Sequence, residues 1–182
     1  MEVELGRSRY KTYDEAKTYF TTMSTTNWLP LFSIPQVAQV ILNSLQFMHD
    51  NNRIRLHAYV IMETHVHMVG TSKEISDEFR KLKSYTARQI VDYLTMDGPQ
   101  VLLDQLKFYK KKHKKDQKYQ VWQEGFHPKA ILNVDILTQK IEYVHYNPVR
   151  RGYVDRPEHW RYSSAQNYAG MKGIVSVEHV KI

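Results

Sequence analysis

The chain has 182 residues, 42% of them hydrophobic and 25% charged, proportions of an ordinary globular protein that make wholesale disorder or a fibrous repeat poor readings; one domain over residues 1–182 is expected. Cysteine is absent, which excludes a disulfide framework, a thiol nucleophile and any Cys-ligated zinc or iron–sulfur site, so a metal would need N and O ligands. Lys and Arg number 26 against 19 Asp and Glu, a formal net charge of +7; this favours a polyanionic partner, nucleic acid ahead of a membrane surface, and the lack of any apolar run near ~18 residues predicts no membrane partner and a cytoplasmic location.

Residues 19–25 are rich in β-formers and predict the first strand, after a basic start that includes Arg7, Arg9, Lys11 and Lys17. Ser33 and Gln36 have capping-box spacing around Pro35, and Val37, Val40, Ile41, Ser44, Leu45 and Met48 recur at helical spacing, so a helix is expected over about 34–49. From Ile54 to Met62 the pattern alternates, placing Ile54, Leu56, Ala58, Val60 and Met62 on one strand face before a short turn at Glu63-Thr64 and a returning strand from His65 to Val69. Ser76, Asp77 and Glu78 open a further helix with Ile75, Phe79, Leu82, Thr86, Ile90 and Tyr93 as its buried stripe and Arg80, Ser84 and Arg88 on another face. Gly98-Pro99 breaks that helix, and residues 107–119 are too charged for a core, reading as an exposed basic loop or helix end. After a short apolar segment at Ala130-Ile131-Leu132, Asn133 can cap a last helix carrying Leu137, Ile141 and Val144, which Pro148 should end near Asn147. The order β-α-β-β-α-β-α predicts an α+β protein, an open antiparallel or mixed sheet with packed helices.

Candidate chemistry begins at His65-Val66-His67. Residues two apart on a strand point to one side, so the imidazoles form a two-ligand clamp while Val66 faces the core. Spacing alone fits a polar strand face equally well. On the last helix Tyr143 and Asn147 lie four apart on one face, with Lys140 on the same side. A phenol, with a reference pKa of about 10, needs a nearby cation or a metal-polarised target to act as a nucleophile. Helix-borne tyrosines are more often packed residues at the edge of a core.

Taken together, the motifs resemble a known family. Val60-Ile-Met-Glu-Thr-His-Val-His-Met68 is similar to the His-hydrophobe-His block of the single-tyrosine transposases, and Leu82-Lys-Ser-Tyr-Thr-Ala-Arg88 to the helix that follows it. Ile141-Glu-Tyr-Val-His-Tyr-Asn-Pro-Val-Arg-Arg-Gly152, followed by Trp160-Arg-Tyr-Ser-Ser-Ala165 and Tyr168, resembles the branch of REP-associated tyrosine transposases. The resemblance implies a ferredoxin-like, RRM-like antiparallel sheet (the HUH endonuclease fold), Tyr143 as nucleophile, and His65, His67 and Asn147 as ligands of Mg2+ or Mn2+; Lys140 is the cation that helical spacing, not the resemblance, puts beside Tyr143. It also implies nicking and rejoining of single-stranded DNA beside a hairpin through a 5′-phosphotyrosine, by a monomer or homodimer. Where many relatives have Pro-Asn or Pro-Glu before the histidines, this chain has Glu63-Thr64, a departure that bears on the turn.

Lys110, Lys111, Lys112, Lys114 and Lys115, with Phe108, Tyr109 and Tyr119 nearby, are candidates for meeting phosphates while the rings stack on bases; a solvated loop is the competing reading. Arg80, Lys83 and Arg88 form a second candidate surface, although Arg88 is spaced to pair with Asp92. Arg9, with Arg7, Tyr10 and Lys11, is a third by resemblance, and His127 and Lys129 are weaker candidates; for Trp122 and Trp160 packing is the expected role. Two other functions fit the same residues: a DNA- or RNA-binding module without chemistry, and a metal-dependent hydrolase that activates water and does not need Tyr143.

Overall fold

Every second residue of the strand pair after the first helix is apolar, and both faces of the sheet it forms are covered. The computed structural model describes residues 16–180. Within them β1 (Lys17–Ser24), α1 (Pro35–Asp50), β2 (Arg55–Ile61), β3 (His65–Ser72), α2 (Ile75–Met96), α3 (Gln100–Phe108), β4 (Lys129–Ala130), α4 (Val134–Arg150) and the short α5 (Ala165–Tyr168) follow in order. The strands form one antiparallel sheet in the order β2-β3-β1-β4, the ferredoxin-like α+β arrangement expected. No helix among the described residues is long and apolar enough to cross a membrane.

One core lies between the sheet and α1 and α2, built on Met23, Leu56, Tyr59, Val66 and Met68 against Ile41, Leu45, Phe79 and Ile90. A second lies under α4, where Phe20, Ala58, Val60, Met62 and Val69 meet Ile141 and Val144. His65, His67 and Val69 alternate with Val66 and Met68, so the histidines share the α4 face.

The single apolar face expected for 54–62 does not form. A register shift between Leu56 and Ala58 inserts one extra residue, leaving Ile54 and Leu56 in the α1/α2 core and sending Ala58, Val60 and Met62 to the α4 core. Gly70 faces this irregularity, and a Cβ there would come 2.7 Å from Ile54 Cγ2 and 3.2 Å from the Arg55 carbonyl, so the close approach of the strands requires glycine.

Three further details depart from expectation. Ser33 makes no capping box: its hydroxyl donates to the Pro30 carbonyl, and α1 begins after Ile34 with Pro35 in its first turn. In α2 Leu94 is buried where Tyr93 was expected, because the chain leaves the helix at Met96 and turns Tyr93 only halfway into the core. Pro148 does not end α4. It removes one N–H, yet the final turn is held by Arg151 N–H to Asn147 O, Gly152 N–H to Val149 O and Tyr153 N–H to Pro148 O, a Schellman closure in which Gly152 sits at φ +72°.

The outer edge of β2 is covered by the segment containing Trp160-Arg161-Tyr162-Ser163-Ser164. Ile61 N–H donates to Tyr162 O, Ser164 N–H to Tyr59 O, and Trp160 Nε1–H to Ile61 O; further along, Glu178 N–H donates to Leu56 O. Pairing that edge removes a template for aggregation.

Candidate active site

The Glu63-Thr64 turn closes tightly, with Met62 N–H donating to His65 O at 2.8 Å, so the departure from the family's usual residues leaves the hairpin intact. Directly after it, His65 and His67 rise from β3 with ring centroids 4.7 Å apart, both buried. Thr64 Oγ1 lies 3.0 Å from Nδ1 of His65 and Thr22 Oγ1, from neighbouring β1, 2.8 Å from Nδ1 of His67. With Nδ1–H donating to each threonine, both Nε2 atoms keep their lone pairs, as ligation requires. Burial, then repulsion from His65 and Arg151, pushes the His67 pKa down to about 3, and burial followed by Arg151 lowers that of His65. Both rings are therefore neutral near pH 7, the form that binds a cation. This donor set fits a divalent metal.

Tyr143 reaches the pair from α4. Its ring stands edge-on to His67 at 5.3 Å and to Phe20 at 5.8 Å, while Phe20 stacks on His67 at 5.4 Å. Lys140 Nζ lies 5.4 Å from the Phe20 centroid and 6.0 Å from that of Tyr143, and the Arg150 guanidinium lies 5.3 Å from Tyr143. Positive charge thus gathers around the phenol. Asn147 is buried one turn beyond Tyr143, but the structure does not bond its amide to either histidine. Tyr146, by contrast, points to solvent. Asn133 starts this helix by accepting the Ile136 N–H at 2.9 Å, and His145 fixes it from below through Nε2 to Ser164 Oγ at 2.9 Å.

The two internal basic candidate surfaces meet in one cleft of about 890 Å3 between α2 and residues 114–125, lined by Arg80, Lys83, Arg88 and Lys114. Arg88 forms no ion pair with Asp92 among the described residues, and Arg80 pairs with Asp77. Lys83 donates to the Gln123 carbonyl at 2.9 Å; burial, then Lys114, lowers its pKa to about 8. Lys110 Nζ folds back on the Lys114 carbonyl at 2.8 Å, and Lys114 lies 3.4 Å from Glu124, which leaves Lys111, Lys112 and Lys115 exposed. Trp122 packs, donating to Thr86 Oγ1 at 3.1 Å. Arg7, Arg9, Tyr10 and Lys11 lie outside the described residues.

Reading the sequence missed Thr22, Thr64, Arg150 and Arg151. Arg150 lies two turns beyond Tyr143 on the same side and Arg151 follows it at the helix's C-cap, a signal hidden by expecting α4 to stop near Asn147. Thr22 becomes visible only through the register that places it opposite His67. In a group of acidic side chains, Glu74, Asp77 and Glu78, the last two are engaged by Arg53, Arg80 and Lys81.

No protein-family model matches the chain. A protein of Haemophilus influenzae named "Putative REP-associated tyrosine transposase" is 28% identical over 107 residues, which is 59% of this chain and 56% of that protein; the chain thus matches little more than half of that relative's length. Among solved structures, a REP-associated tyrosine transposase bound to a REP hairpin superposes with a TM-score of 0.63 at 19% identity, over 97% of this chain and 94% of the other. In sequence through the first of these, and in fold through the second, the chain is similar to the REP-associated tyrosine transposases.

Proposed function

We propose that the chain is a single-tyrosine DNA strand transferase acting on single-stranded DNA that carries a hairpin. The observation that carries this reading is the placing of Tyr143, from α4, edge-on to His67 of β3, beside its partner His65. The chain acts as one unit over residues 1–182, as a monomer or homodimer, in the cytoplasm.

Tyr143 Oη attacks the phosphorus of a phosphodiester, the P–O3′ bond breaks, and the downstream strand stays joined as a 5′-phosphotyrosine while the upstream strand leaves with a free 3′ hydroxyl. The reverse attack by a 3′ hydroxyl rejoins strands, because one phosphoester is exchanged for another. Lys140, Arg150 and Arg151 bring positive charge to the attacked phosphate. Phe20 holds the Tyr143 and His67 rings in place by its contacts with both. His65 and His67 would hold the metal through Nε2, with Asn147 as third ligand, and the ion supplies Lewis-acid polarisation of a phosphoryl oxygen when bound. Of Mg2+ and Mn2+, the second is the better match to imidazole nitrogen. Residues of the cleft, Arg80, Lys83, Arg88 and Lys114, with Lys110, Lys111, Lys112 and Lys115 from the same segment as Lys114 and Arg9 from the start of the chain, track the strand's phosphates.

The test is a denaturant-resistant adduct. Incubated with Mn2+ and a panel of hairpin-bearing single-stranded oligonucleotides, wild-type protein should retain the downstream fragment of its cognate one in a denaturing gel. Tyr143→Phe should lose it and Tyr146→Phe should keep it. Cleavage without an adduct would support the water-activating hydrolase, and binding with neither would support the non-catalytic module.

A further inference from the structure

The turn that launches the two histidines is tied to the end of the helix that carries Tyr143. Tyr153 Oη donates to Glu63 Oε1 at 2.5 Å, and Arg151 Nη1 lies 3.9 Å from the same oxygen. Glu63 stands two residues before His65, while Arg151 is the C-cap of α4 and Tyr153 follows the closing Gly152. The second carboxylate oxygen, Oε2, is shielded from solvent and has no hydrogen-bond donor among the described residues. Glu63 is thus committed to Tyr153 and to the Arg151 charge. Proline, which many relatives carry at this position, has no side-chain acceptor to offer.

Both ends of this bond are held rigidly. On the hairpin side, Glu63 O accepts the Phe32 N–H at 3.0 Å, and the neighbouring Thr64 O accepts the Thr25 N–H at 2.9 Å and its hydroxyl at 3.0 Å. On the helix side, Tyr153 N–H donates to Pro148 O at 3.0 Å. The Tyr153 ring stacks 5.6 Å from that of Trp160, whose Nε1–H donates to Ile61 O at 2.9 Å. A hydrogen bond between two fixed frames acts as a distance constraint. The last turn of α4 has use for one, because Pro148 removes a helical N–H there. The edge-on contacts of the Tyr143 ring with His67 and Phe20 belong to a kind that is favourable over roughly 4.5–7 Å, so they set the distance loosely.

We infer that Glu63 is a positioning residue: its bond to Tyr153 Oη, reinforced by the Arg151 charge, clasps the end of α4 to the β2–β3 turn and fixes how far Tyr143 stands from His65 and His67. This inference rests on the reading of Tyr143 as the nucleophile and deepens it. An exposed pair of this kind adds little to folding stability, yet a reacting group misplaced by ~1 Å loses on the order of 100-fold in rate. The clasp therefore has a signature that a purely structural contact lacks: the rate falls while stability and DNA affinity hold.

The first arm of the test is NMR of the metal-free full chain with 13C-labelled histidine. Tyr143→Leu identifies the imidazole C–H signals that sense the Tyr143 ring, which stands 5.3 Å from that of His67. Tyr153→Phe removes only the hydroxyl and keeps the ring on Trp160. It should move the His67 signals toward their Tyr143→Leu positions, while those of His57, bonded to Thr71 near the opposite end of β3, stay in place. Glu63→Gln keeps an acceptor for Tyr153 and should leave the His67 signals near wild type. The second arm is single-turnover adduct formation with Mn2+ and a hairpin-bearing oligonucleotide that gives the adduct with wild-type protein. Glu63→Ala and Tyr153→Phe should each slow it at least about tenfold at saturating DNA, and the double variant no more than about twofold further. Glu63→Gln should restore most of the rate, and DNA affinity and the urea midpoint should stay close to wild type throughout. Unmoved His67 signals in Tyr153→Phe, single-variant losses that multiply in the double, or a Glu63→Gln rate as low as that of Glu63→Ala would overturn the clasp. Absence of adduct in every protein, wild type included, would sink the proposed chemistry, and the NMR arm would then decide the clasp by itself.

Discussion

At the residue scale, the candidate site depends on where hydrogen bonds send the ring nitrogens. Thr22 and Thr64 each occupy an Nδ1, so His65→Ala or His67→Ala should remove Mn2+-dependent adduct formation, whereas Thr22→Val should leave the ligands and raise the Mn2+ concentration for half-maximal activity by about 10- to 100-fold. A metal titration of the three variants distinguishes them; a Thr22→Val curve that overlays the wild type would show that the threonine does not orient the ring. The His-x-His pair was legible in the sequence because a strand has a strict period of two. Its threonine partner was not, since Thr22 is an ordinary β-former until β1 is registered against β3 with Thr22 opposite His67. Glu63 was legible only as a departure from a family pattern; its unsatisfied oxygen belongs to the three-dimensional packing of the 153–162 segment.

At the element scale, α4 carries Tyr143 between a cap and a closure. Asn133→Ala should cost about 1 kcal/mol, and Gly152→Ala a similar amount because φ +72° strains a side chain; urea midpoints measure both, and no change in the second would mean that the helix end reorganises freely. The same element has a pH signature. Burial lowers the His145 pKa from 6.5 to about 4, so between those values the unfolded chain binds a proton that the folded chain refuses. The stabilising effect is complete above about pH 6.5 and falls away as pH drops toward 4. Between pH 7 and 5 the wild type should lose about 2 kcal/mol more stability than His145→Gln; equal losses would show that His145 is not the group responsible. The start of α4 could be read from Asn133, but its end could not. Pro148 is a sound stop signal locally, and only the three backbone bonds after it show the helix continuing to Arg150. The strand at 54–62 failed for a similar reason, since a bulge at one residue reverses every side chain beyond it.

At the scale of the whole molecule, the sheet separates two jobs. Its α1/α2 face is a large apolar core, and its α4 face holds a small core around Ile141 and Val144 that ends in the histidine–tyrosine cluster. The element order and the positive charge were legible from the sequence, and the structure adds that the helix α2 and the lysine segment line one cleft. Of the five lysines, only Lys111, Lys112 and Lys115 stand clear of side-chain partners among the described residues, so replacing all five by Ala should reduce the magnitude of the log–log salt slope for single-stranded DNA by about 2, at ~0.7 per lost contact. An unchanged slope would make the segment a solvated loop. The central claim is that Tyr143 becomes covalently joined to DNA, and mass spectrometry of the trypsin- and nuclease-digested adduct tests it most directly. The account predicts a residual 5′-phosphonucleotide on the peptide containing Tyr143, mapped by fragmentation to that residue; the same mass on Tyr146 or on any other side chain would contradict it.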